Sequence, residues 1–459
     1  MTIRSVLVAN RGEIAVRIIR AAKALGIRTV QVYSIADADM LAVKLADEAV
    51  NIGPPAPKKS YLNIEAIIRA AVEAKVDAVH PGYGFLSENG DFADAVTAAG
   101  MIFIGPSGDV IRLLGDKVAA RQVAMQVGVP TIPGSEGRVE DLTAAQDIAA
   151  RIGFPVMIKA AAGGGGRGIR IVGSAAELDR EFPLAAIEAA SAFGNGTLYI
   201  EKVVTRARHV EVQIFGDGNT AVHLFERECS LQRRRQKVWE EAPAINLPPA
   251  LRDRLHASAV SFAKEVRYRG AGTVEFLYDE QAEKFYFIEV NTRIQVEHPV
   301  TEMITGIDLV QEMFKVASGA KLSFRQADIA VRGHAIECRI NAEDPLRNFM
   351  PMPGKIAHLD APVDEHTRFD TMLFEGYTVP PFYDSLLGKL IVHGETREAC
   401  MKRLEKALRN LVIEGLPTTI PLHAALVQDA AIHAGAVHTC FLEPWLESED
   451  RFAQQPIVA

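Results

Sequence analysis

Short apolar stretches alternate with amphipathic segments in the first quarter of the chain. The apolar run at 5–9 predicts a strand, the 3.6-residue spacing at 13–25 predicts a helix, and 29–33 predicts a second strand. The alternation continues to strands at 78–80 and 101–104. This order is typical of a parallel sheet with helical crossovers. The first turn, 10–13, lacks the Gly-x-Gly-x-x-Gly fingerprint, so no dinucleotide is expected there.

A second unit, 116–202, mixes both periods, and the rest of the chain begins rich in strands. Helices are predicted at 117–127 and 142–152, around strands at 156–160, 170–172 and 198–201. Further strands are predicted at 210–215, 221–226, 272–278 and 284–291, and helices such as 397–411 follow. The pattern therefore combines α/β and α+β organisation.

Length and composition limit the function classes. The 459 residues, 48% of them hydrophobic and 24% charged, predict a soluble globular protein with several packed units. A net charge of −8 argues against general nucleic-acid binding. The four cysteines show no metal-binding spacing, and no apolar run reaches membrane-spanning length. We therefore expect a cytoplasmic protein without membrane or nucleic-acid partners.

A glycine-rich segment joins two predicted strands at 163–168. Gly163, Gly164, Gly165, Gly166 and Gly168 leave backbone N–H groups free to close on phosphate oxygens, and Lys159 adds a positive charge at the end of the preceding strand. The alternative is a flexible linker, but two flanking apolar strands favour a phosphate lid. No Walker A motif occurs, so an ordinary P-loop NTPase is not expected.

The segment 289–297 has polar or charged side chains at every odd position. In an extended chain, one face would present two carboxylates, two amides and a guanidinium. Glu289 and Asn291, with Glu275 on the preceding strand, offer only hard oxygen ligands, which suit Mg²⁺. The alternative is a half-exposed strand with solvated charges, which the weak strand propensity of Asn, Gln and Glu disfavours.

Four positive charges are concentrated at 233–237, within the run 230–237. A nucleic-acid or targeting patch is one interpretation. The cluster directly follows a predicted strand and precedes Glu240 and Glu241, which favours a cluster that points inward at anionic phosphate and bicarbonate.

These segments together resemble the biotin carboxylases, which belong to the ATP-grasp superfamily. The matching motifs cover nearly the whole chain to about Glu414, and lie at 9–15, 80–89, 115–117, 232–243, 289–305, 337–345 and 381–385. The resemblance implies an ATP-grasp fold in four parts: a Rossmann-like parallel-sheet domain (1–115), a small mixed α/β lid (116–203), a core with metal and bicarbonate sites (204–330) and a C-terminal antiparallel-sheet domain (331–459).

The resemblance also implies a role for each matching residue. The glycines of 163–168 would hold ATP together with Lys117, Lys159, Glu201, Lys202, Val203, Val204, His209, Gln232, Arg235 and Leu277. Glu275, Glu289 and Asn291 would bind two Mg²⁺ ions, which Mn²⁺ can replace. Lys237, Arg293, Gln295, Val296 and Arg339 would hold bicarbonate, with Glu297 as its base. Tyr83, Arg339 and Asp384 would contact biotin.

Three positions depart from the family pattern. Arg235 stands where a histidine near the nucleotide ribose is usual, Ala162 replaces a glycine of the lid, and 350–353 differs from the common Pro-Ser-Pro. Arg235 can still donate hydrogen bonds, but always as a cation.

The implied reaction is phosphoryl transfer from MgATP to bicarbonate, followed by carboxylation of carrier-bound biotin through carboxyphosphate. The implied partners are a biotin carboxyl carrier protein, carboxyltransferase subunits and a second copy of the chain. The alternatives are another ATP-grasp ligase that joins a carboxylate to an amine, a catalytically silent nucleotide-binding regulator, and a nucleic-acid-binding protein. The resemblance leaves the final acceptor open, with acetyl-CoA the commonest.

Overall fold

The computed structural model describes residues 2–161 and 169–448. The N-terminal part is a five-stranded sheet of order β3-β2-β1-β4-β5, with every strand pair parallel. Its strands are β1 Ser5–Val8, β2 Arg28–Ser34, β3 Glu48–Gly53, β4 Ala78–His80 and β5 Ile102–Phe103. Its helices are α1 Gly12–Ala24, α2 Leu41–Leu45, α3 Ile64–Glu73, α4 Gly90–Ala98 and α5 Gly108–Gly115. The predicted parallel sheet is confirmed.

A small antiparallel sheet of order β7-β6-β8 follows. Its elements are α6 Lys117–Gln126, α7 Leu142–Ile152, β6 Val156–Ala160, β7 Ile169–Val172, α8 Ala175–Phe193 and β8 Leu198–Lys202. Side chains of Asp116, Asp141 and Ser174 accept hydrogen bonds from the first turns of α6, α7 and α8. The N-caps of α6 and α7 explain why these two helices begin where the sequence predicts, whereas α8 was not predicted.

The largest sheet has eight strands in the order β13-β12-β9-β10-β11-β14-β21-β19, all paired antiparallel. Its strands are β9 Ala207–Asp217, β10 Ala221–Arg233, β11 Gln236–Ala242, β12 Arg269–Asp279, β13 Lys284–Asn291, β14 His334–Asn341, β19 Thr367–Thr371 and β21 Leu386–Gly394. The β11–β14 pair joins strands on both sides of residue 330, so this sheet is continuous across the predicted boundary between the third and fourth parts.

The other elements pack around this sheet. Short strand pairs are β15 Glu343–Asp344 with β16 Met350–Pro351, β17 Gly354–Lys355 with β20 Thr378–Val379, and β18 His358–Asp360 with β22 Val412–Glu414. Helices are α9 Pro249–Glu265, α10 His298–Thr305, α11 Leu309–Ala317, α12 Arg397–Asn410, α13 Ile420–Leu426, α14 Ala430–Ala434 and α15 Leu442–Glu447. In the described part of the chain, no helix combines the length and the apolar character needed to span a bilayer.

The two faces of the eight-stranded sheet differ at β14. Ile336, Cys338 and Ile340 pack in an apolar core with α12 and α13, whereas the alternate residues Glu337 and Arg339 point to the opposite face. Burying an apolar face requires a second layer, and the helices at the C-terminal end of the chain supply it. The opposite, polar face carries the candidate site.

The interpretation of 289–297 as one extended segment is wrong beyond Asn291. β13 ends at Asn291, the chain then turns, and α10 begins at His298. Alternation therefore explains only the first part of the motif, and a turn brings its second part to the same site.

Candidate active site

Three glutamates lie side by side across three strands of the eight-stranded sheet. Glu289 on β13 is opposite Glu275 on β12, and Glu275 is opposite Glu211 on β9. Arg227 on β10 continues the row beyond Glu211, with its Nε 2.6 Å from a Glu211 oxygen. Adjacent like charges are unfavourable unless cations or ligands neutralise them. This row is therefore a place where positive charge is required.

Lys237 supplies one such charge from β11. An extra residue, Val238, interrupts the β10–β11 register and turns Lys237 to the same face as Glu240. The Lys237 ammonium lies 2.5 Å from Glu211, 2.9 Å from Glu275 and 2.7 Å from Glu297. Burial would lower the pKa of Lys237, but the three carboxylates raise it well above its usual value. Lys237 is therefore a fixed cation.

Glu297 links Lys237 to Arg339. Its side chain is fully buried, and its second oxygen lies 3.1 Å from Arg339 Nη2. Although burial would raise the pKa of Glu297, Lys237, Arg339 and Arg227 hold it well below the usual range. Glu297 is therefore an ionised carboxylate at neutral pH, and it can accept a proton only from an acid bound beside it.

Arg293 and Gln295 reach the same row from the turn that follows β13. The Arg293 guanidinium donates to the side-chain oxygens of Asn291, at 3.1 Å, and Gln295, at 3.0 Å. Gln295 in turn donates to Glu275 at 3.2 Å. The carbonyl of Val296 accepts a hydrogen bond from Lys389 at 2.7 Å. Four of the residues predicted to hold bicarbonate are thus linked to one another through Glu275 and Glu297, namely Lys237, Arg293, Gln295 and Arg339.

The predicted metal ligands are also adjacent. Glu275 and Glu289 are opposite each other on neighbouring strands, and Asn291 Nδ2 donates to Glu275 at 2.8 Å. The Lys117 ammonium lies 2.5 Å from Glu289 Oε2 and forms an ion pair with that carboxylate. A donor set of two carboxylates and one amide oxygen fits Mg²⁺ or Mn²⁺. The residues present therefore fit the metal that the resemblance implies.

Three predicted nucleotide residues, His209, Gln232 and Leu277, lie beside the same row. His209 is opposite Leu277 in the β9–β12 register, its Nδ1 is 2.7 Å from Gln232 Nε2, and its Nε2 is 3.1 Å from Glu275. Burial would lower the pKa of His209, but Glu275 raises it above the usual value. Glu275 therefore favours the protonated form of His209 next to the predicted metal ligands.

A second group lies on the small antiparallel sheet. Lys159 on β6 and Arg121 on α6 both contact Glu201 on β8, at 2.5 and 3.0 Å. Lys202 donates to the carbonyls of Gly153 and Phe154, at 3.0 and 2.7 Å. Val203 and Val204, both half-buried, continue the chain towards β9. The predicted phosphate lid, including Ala162 and the five glycines of 163–168, lies outside the described residues.

The predicted biotin residues lie on three separate segments. The Tyr83 hydroxyl donates to Glu13, burial raises the pKa of Tyr83 well above its usual value, and the charges of Arg339 and Asp384 also influence it. Asp384 is exposed and accepts a hydrogen bond from the backbone of Leu386 at 2.8 Å. Tyr83 and Asp384 thus lie within electrostatic reach of each other.

The expectation that the whole basic cluster points inward is wrong. Arg234 and Arg235 form the tip of the β10–β11 hairpin with φ of +48° and +66°, and both are exposed. Arg233 packs over the Phe349 ring, 3.9 Å from its centroid, and donates to Asn348. Of the four basic residues, Lys237 alone joins the carboxylate row. The hairpin turn separates Lys237 from the arginines.

Several residues of the site escaped the sequence analysis. Glu211 and Glu240 contact predicted residues directly, as do Glu88, Arg121 and Lys389, and Arg227 contacts Glu211. A signal existed for Glu211, because His209, Glu211 and Gln213 alternate with valine and isoleucine in the same way as residues 289–291. The partners of Arg227, Lys389 and Glu240 are distant in sequence, so no local pattern marks these three residues.

Three family descriptions match successive parts of the chain. Residues 2–111 match "Biotin carboxylase, N-terminal domain", 116–325 match "Carbamoyl-phosphate synthase L chain, ATP binding domain", and 337–444 match "Biotin carboxylase C-terminal domain". These matches cover the segments that carry the site.

Among characterised relatives, the biotin carboxylase of Pseudomonas aeruginosa is 53% identical, over 96% of this chain and 98% of its own. A biotin carboxylase complex with β-γ-ATP from Campylobacter jejuni superimposes with a TM-score of 0.93 at 47% identity, covering 96% and 98% of the two chains. The biotin carboxylase domain dimer of the Hydrogenobacter thermophilus 2-oxoglutarate carboxylase, solved with MgADP, ADP and bicarbonate, gives 0.92 at 46% identity, covering 98% and 100%. These likenesses confirm the predicted fold class.

Proposed function

The chain belongs to the biotin carboxylase family, and from this premise we propose that it uses MgATP and bicarbonate to carboxylate biotin on a separate carrier protein. The observation that carries this proposal is the position of Glu297, 2.7 Å from Lys237 and 3.1 Å from Arg339. An ionised carboxylate can accept a proton, and the two cations beside it can hold an anionic reactant. This arrangement therefore suits proton transfer from a bound anion.

In the first half-reaction, Lys237 and Arg293 hold bicarbonate against the carboxylate row, and Glu297 accepts its proton. The deprotonated bicarbonate oxygen then attacks the γ-phosphorus of ATP, and ADP leaves with carboxyphosphate as the other product. Without the two cations, bicarbonate and the nucleotide phosphates would repel each other. The buried position of Glu297 excludes water as a competing proton donor.

In this proposal, residues of the small antiparallel sheet and of the eight-stranded sheet bind the nucleotide. Lys117, Lys159 and His209 supply positive charge, and we propose that the lid at 163–168 covers the phosphates. Glu275, Glu289 and Asn291 would hold Mg²⁺, which neutralises phosphate charge when it is bound. Binding of a cation here would release Lys117 from Glu289, 2.5 Å away, and leave its ammonium free for a phosphate oxygen.

In the second half-reaction, carboxyphosphate breaks down to CO₂ and phosphate, and the phosphate takes the proton from the ureido nitrogen of biotin. Arg339 then stabilises the negative charge on the ureido oxygen, and the deprotonated ureido nitrogen attacks CO₂. We assign Tyr83 and Asp384 to the same biotin subsite, because the charges of Arg339 and Asp384 both act on Tyr83.

The partners follow from the same reaction. We propose that the protein acts with a biotin carboxyl carrier protein and carboxyltransferase subunits, as a cytoplasmic homodimer. The final acceptor stays open between acetyl-CoA, another acyl-CoA and a urea-like compound. The related Hydrogenobacter domain is described as a dimer and belongs to a 2-oxoglutarate carboxylase, so this family serves more than one acceptor.

Measurement of ADP release by the purified chain tests the proposal. We expect weak ATP hydrolysis until bicarbonate is added, further stimulation by free biotin, and loss of activity without Mg²⁺ or Mn²⁺. Turnover that ignores bicarbonate but responds to an amino acid would instead indicate a ligase that joins a carboxylate to an amine.

A further inference from the structure

Glu240 on β11 forms an ion pair with Arg339 on the neighbouring strand, β14. Arg339 Nε donates to one Glu240 oxygen at 2.6 Å, and Nη2 lies 2.5 Å from the same oxygen. The same Nη2 is 3.1 Å from Glu297. Glu240 and Glu297 are both fully buried, whereas the Arg339 side chain is 18% exposed. Arg339 is therefore held between two carboxylates, and Glu240 occupies the Nε edge of the guanidinium.

A third buried glutamate, Glu337, lies next to Glu240. Glu337 on β14 is opposite Glu240 on β11, and among the described residues neither Glu337 oxygen has a hydrogen-bond partner. Two ionised carboxylates so placed would repel each other strongly. Burial, aided by Glu240 and Glu297, raises the pKa of Glu337 well above its usual value. The protonated form of Glu337 is therefore favoured, and Glu240 is the carboxylate that contacts Arg339 on this side.

The contacts of Arg339 change during the proposed reaction. Once Glu297 accepts the bicarbonate proton, it loses its charge and attracts Arg339 less strongly. Arg339 must then remain in place for the biotin half-reaction. Glu240 takes no part in the bicarbonate step and keeps its contact with Nε throughout.

We propose that Glu240 is a positioning residue, which fixes the guanidinium of Arg339 for the biotin half-reaction after Glu297 has been protonated. This inference rests on the proposed role of Arg339. It predicts that Glu240 affects biotin carboxylation more than ATP cleavage, because the bicarbonate residues Lys237, Arg293 and Gln295 are held by other carboxylates, namely Glu211, Glu88 and Glu275. A merely structural glutamate would affect both activities through the amount of folded protein.

The chain contains a matched control in the next residue. Glu241 is on the same strand, is 3% exposed and also pairs with an arginine, Arg397, at 2.6 Å. It points to the opposite face of the sheet, where His334 Nε2 is its other partner at 2.7 Å. Substitution of Glu241 therefore removes the same chemical group from the same strand without touching Arg339.

The experiment compares Glu240→Gln and Glu240→Ala with Glu241→Gln and Glu241→Ala. Bicarbonate-dependent ADP release, carboxybiotin formation and KM for free biotin are measured on the same preparations, after thermal melts. We expect Glu240→Ala to keep ADP release within about 3-fold of the unmodified protein, while carboxybiotin per ADP falls about 10–100-fold and KM for biotin rises. Glu240→Gln, which retains an acceptor for Nε, should recover part of the loss.

The Glu241 variants should lower the melting temperature and leave carboxybiotin per ADP unchanged. The proposal is overturned if folded Glu240 variants keep the normal ratio, or if the Glu241 variants change it equally. It is also overturned if neither Glu240 variant folds while both Glu241 variants do, since Glu240 would then serve the fold. Arg339→Ser, assayed in parallel, separates the two claims: normal coupling in that variant rejects the proposed function of Arg339 itself.

Discussion

Two of the buried ion-pair networks in the described part of the chain differ in how far opposite charges offset burial. The catalytic centre joins Lys237 and Arg339 to Glu211, Glu275, Glu297 and Glu240. The Glu302 centre joins Arg17 and Arg368 to Glu302, Asp308 and Asp370, at 2.5–2.8 Å. It connects α1, α10 and β19, and its ion pairs include none of the predicted site residues that the structure describes.

The pKa shifts of the residues in each centre show the difference. In the Glu302 centre, opposite charges overcome burial at every member whose pKa is shifted: the pKa is raised for Arg17 and Arg368, and lowered for Glu302 and Asp370.

In the catalytic centre, the pKa of some carboxylates is lowered and that of others is raised. The pKa of Glu297 and Glu275 is lowered despite burial, whereas burial raises the pKa of Glu211, and that of Glu240 to about 7. The Glu302 centre has two arginines for three carboxylates, whereas the catalytic centre has two cations for four carboxylates, and this larger excess of buried carboxylate leaves a place for a metal ion or a transferred proton.

The largest effect is expected for Glu297→Gln. The variant keeps size and hydrogen bonding but cannot accept the bicarbonate proton, so ADP release and carboxybiotin formation should fall together by about 10²–10⁴-fold. Its melting temperature should change little, because loss of this charge relieves repulsion at Glu211 and Glu240. Both activities and a thermal melt are measured on one preparation. Full bicarbonate-dependent ATP cleavage in this variant would contradict the role of Glu297.

Glu302→Gln should give the opposite result. The Glu302 carboxylate is bonded to both Arg17 and Arg368, so its loss leaves buried arginine charge less compensated. We expect a loss of about 3–5 kcal/mol in the free energy of unfolding, while turnover per folded molecule stays normal. Denaturant melts and assays at low temperature check this. A strong loss of turnover in the folded variant would show that the two centres are not independent.

Arg339→Ser should separate the two half-reactions. Carboxybiotin formation should fall about 10²–10³-fold, because a cation facing the ureido oxygen is lost. Bicarbonate-dependent ADP release should fall much less, because Lys237, Arg293 and Glu297 remain. The ratio of carboxybiotin to ADP is measured, with Arg397→Ser as a control for loss of a buried arginine on the other face of the sheet. Unchanged coupling in Arg339→Ser would reject its assignment to biotin.

The smallest effect is a pH dependence in the Glu302 centre. The folded pKa of Glu302 is lowered, so its charge contributes stability above the unfolded pKa, near pH 4.3, and this contribution disappears as pH falls through the folded pKa. The melting-temperature difference between the unmodified protein and Glu302→Gln should be constant from about pH 6 to 8 and shrink below about pH 4.5. Melts across this range test it. A difference that grows in acid would mean that the sign is wrong.

Local pattern determined much of the fold and part of the site. The helix at 142–152 and the strand at 156–160 were predicted to the residue, because their apolar spacing and caps are local. Glu275, Glu289 and Asn291 were predicted as neighbours because antiparallel strands place alternate residues opposite each other. The motif resemblance supplied the remaining roles, including those of Arg339 and Tyr83, which no spacing in the chain reveals.

Only the tertiary structure decided which charges meet. Lys237 and Arg235 belong to one basic run, yet a bulge and a hairpin turn bring Lys237 to three carboxylates and leave Arg235 exposed. Glu240 and Glu241 are adjacent in sequence and alike in chemistry, but strand alternation places one against Arg339 and the other against Arg397. Electrostatic partners interact through space, so their identity depends on the register of strands about 100 residues apart.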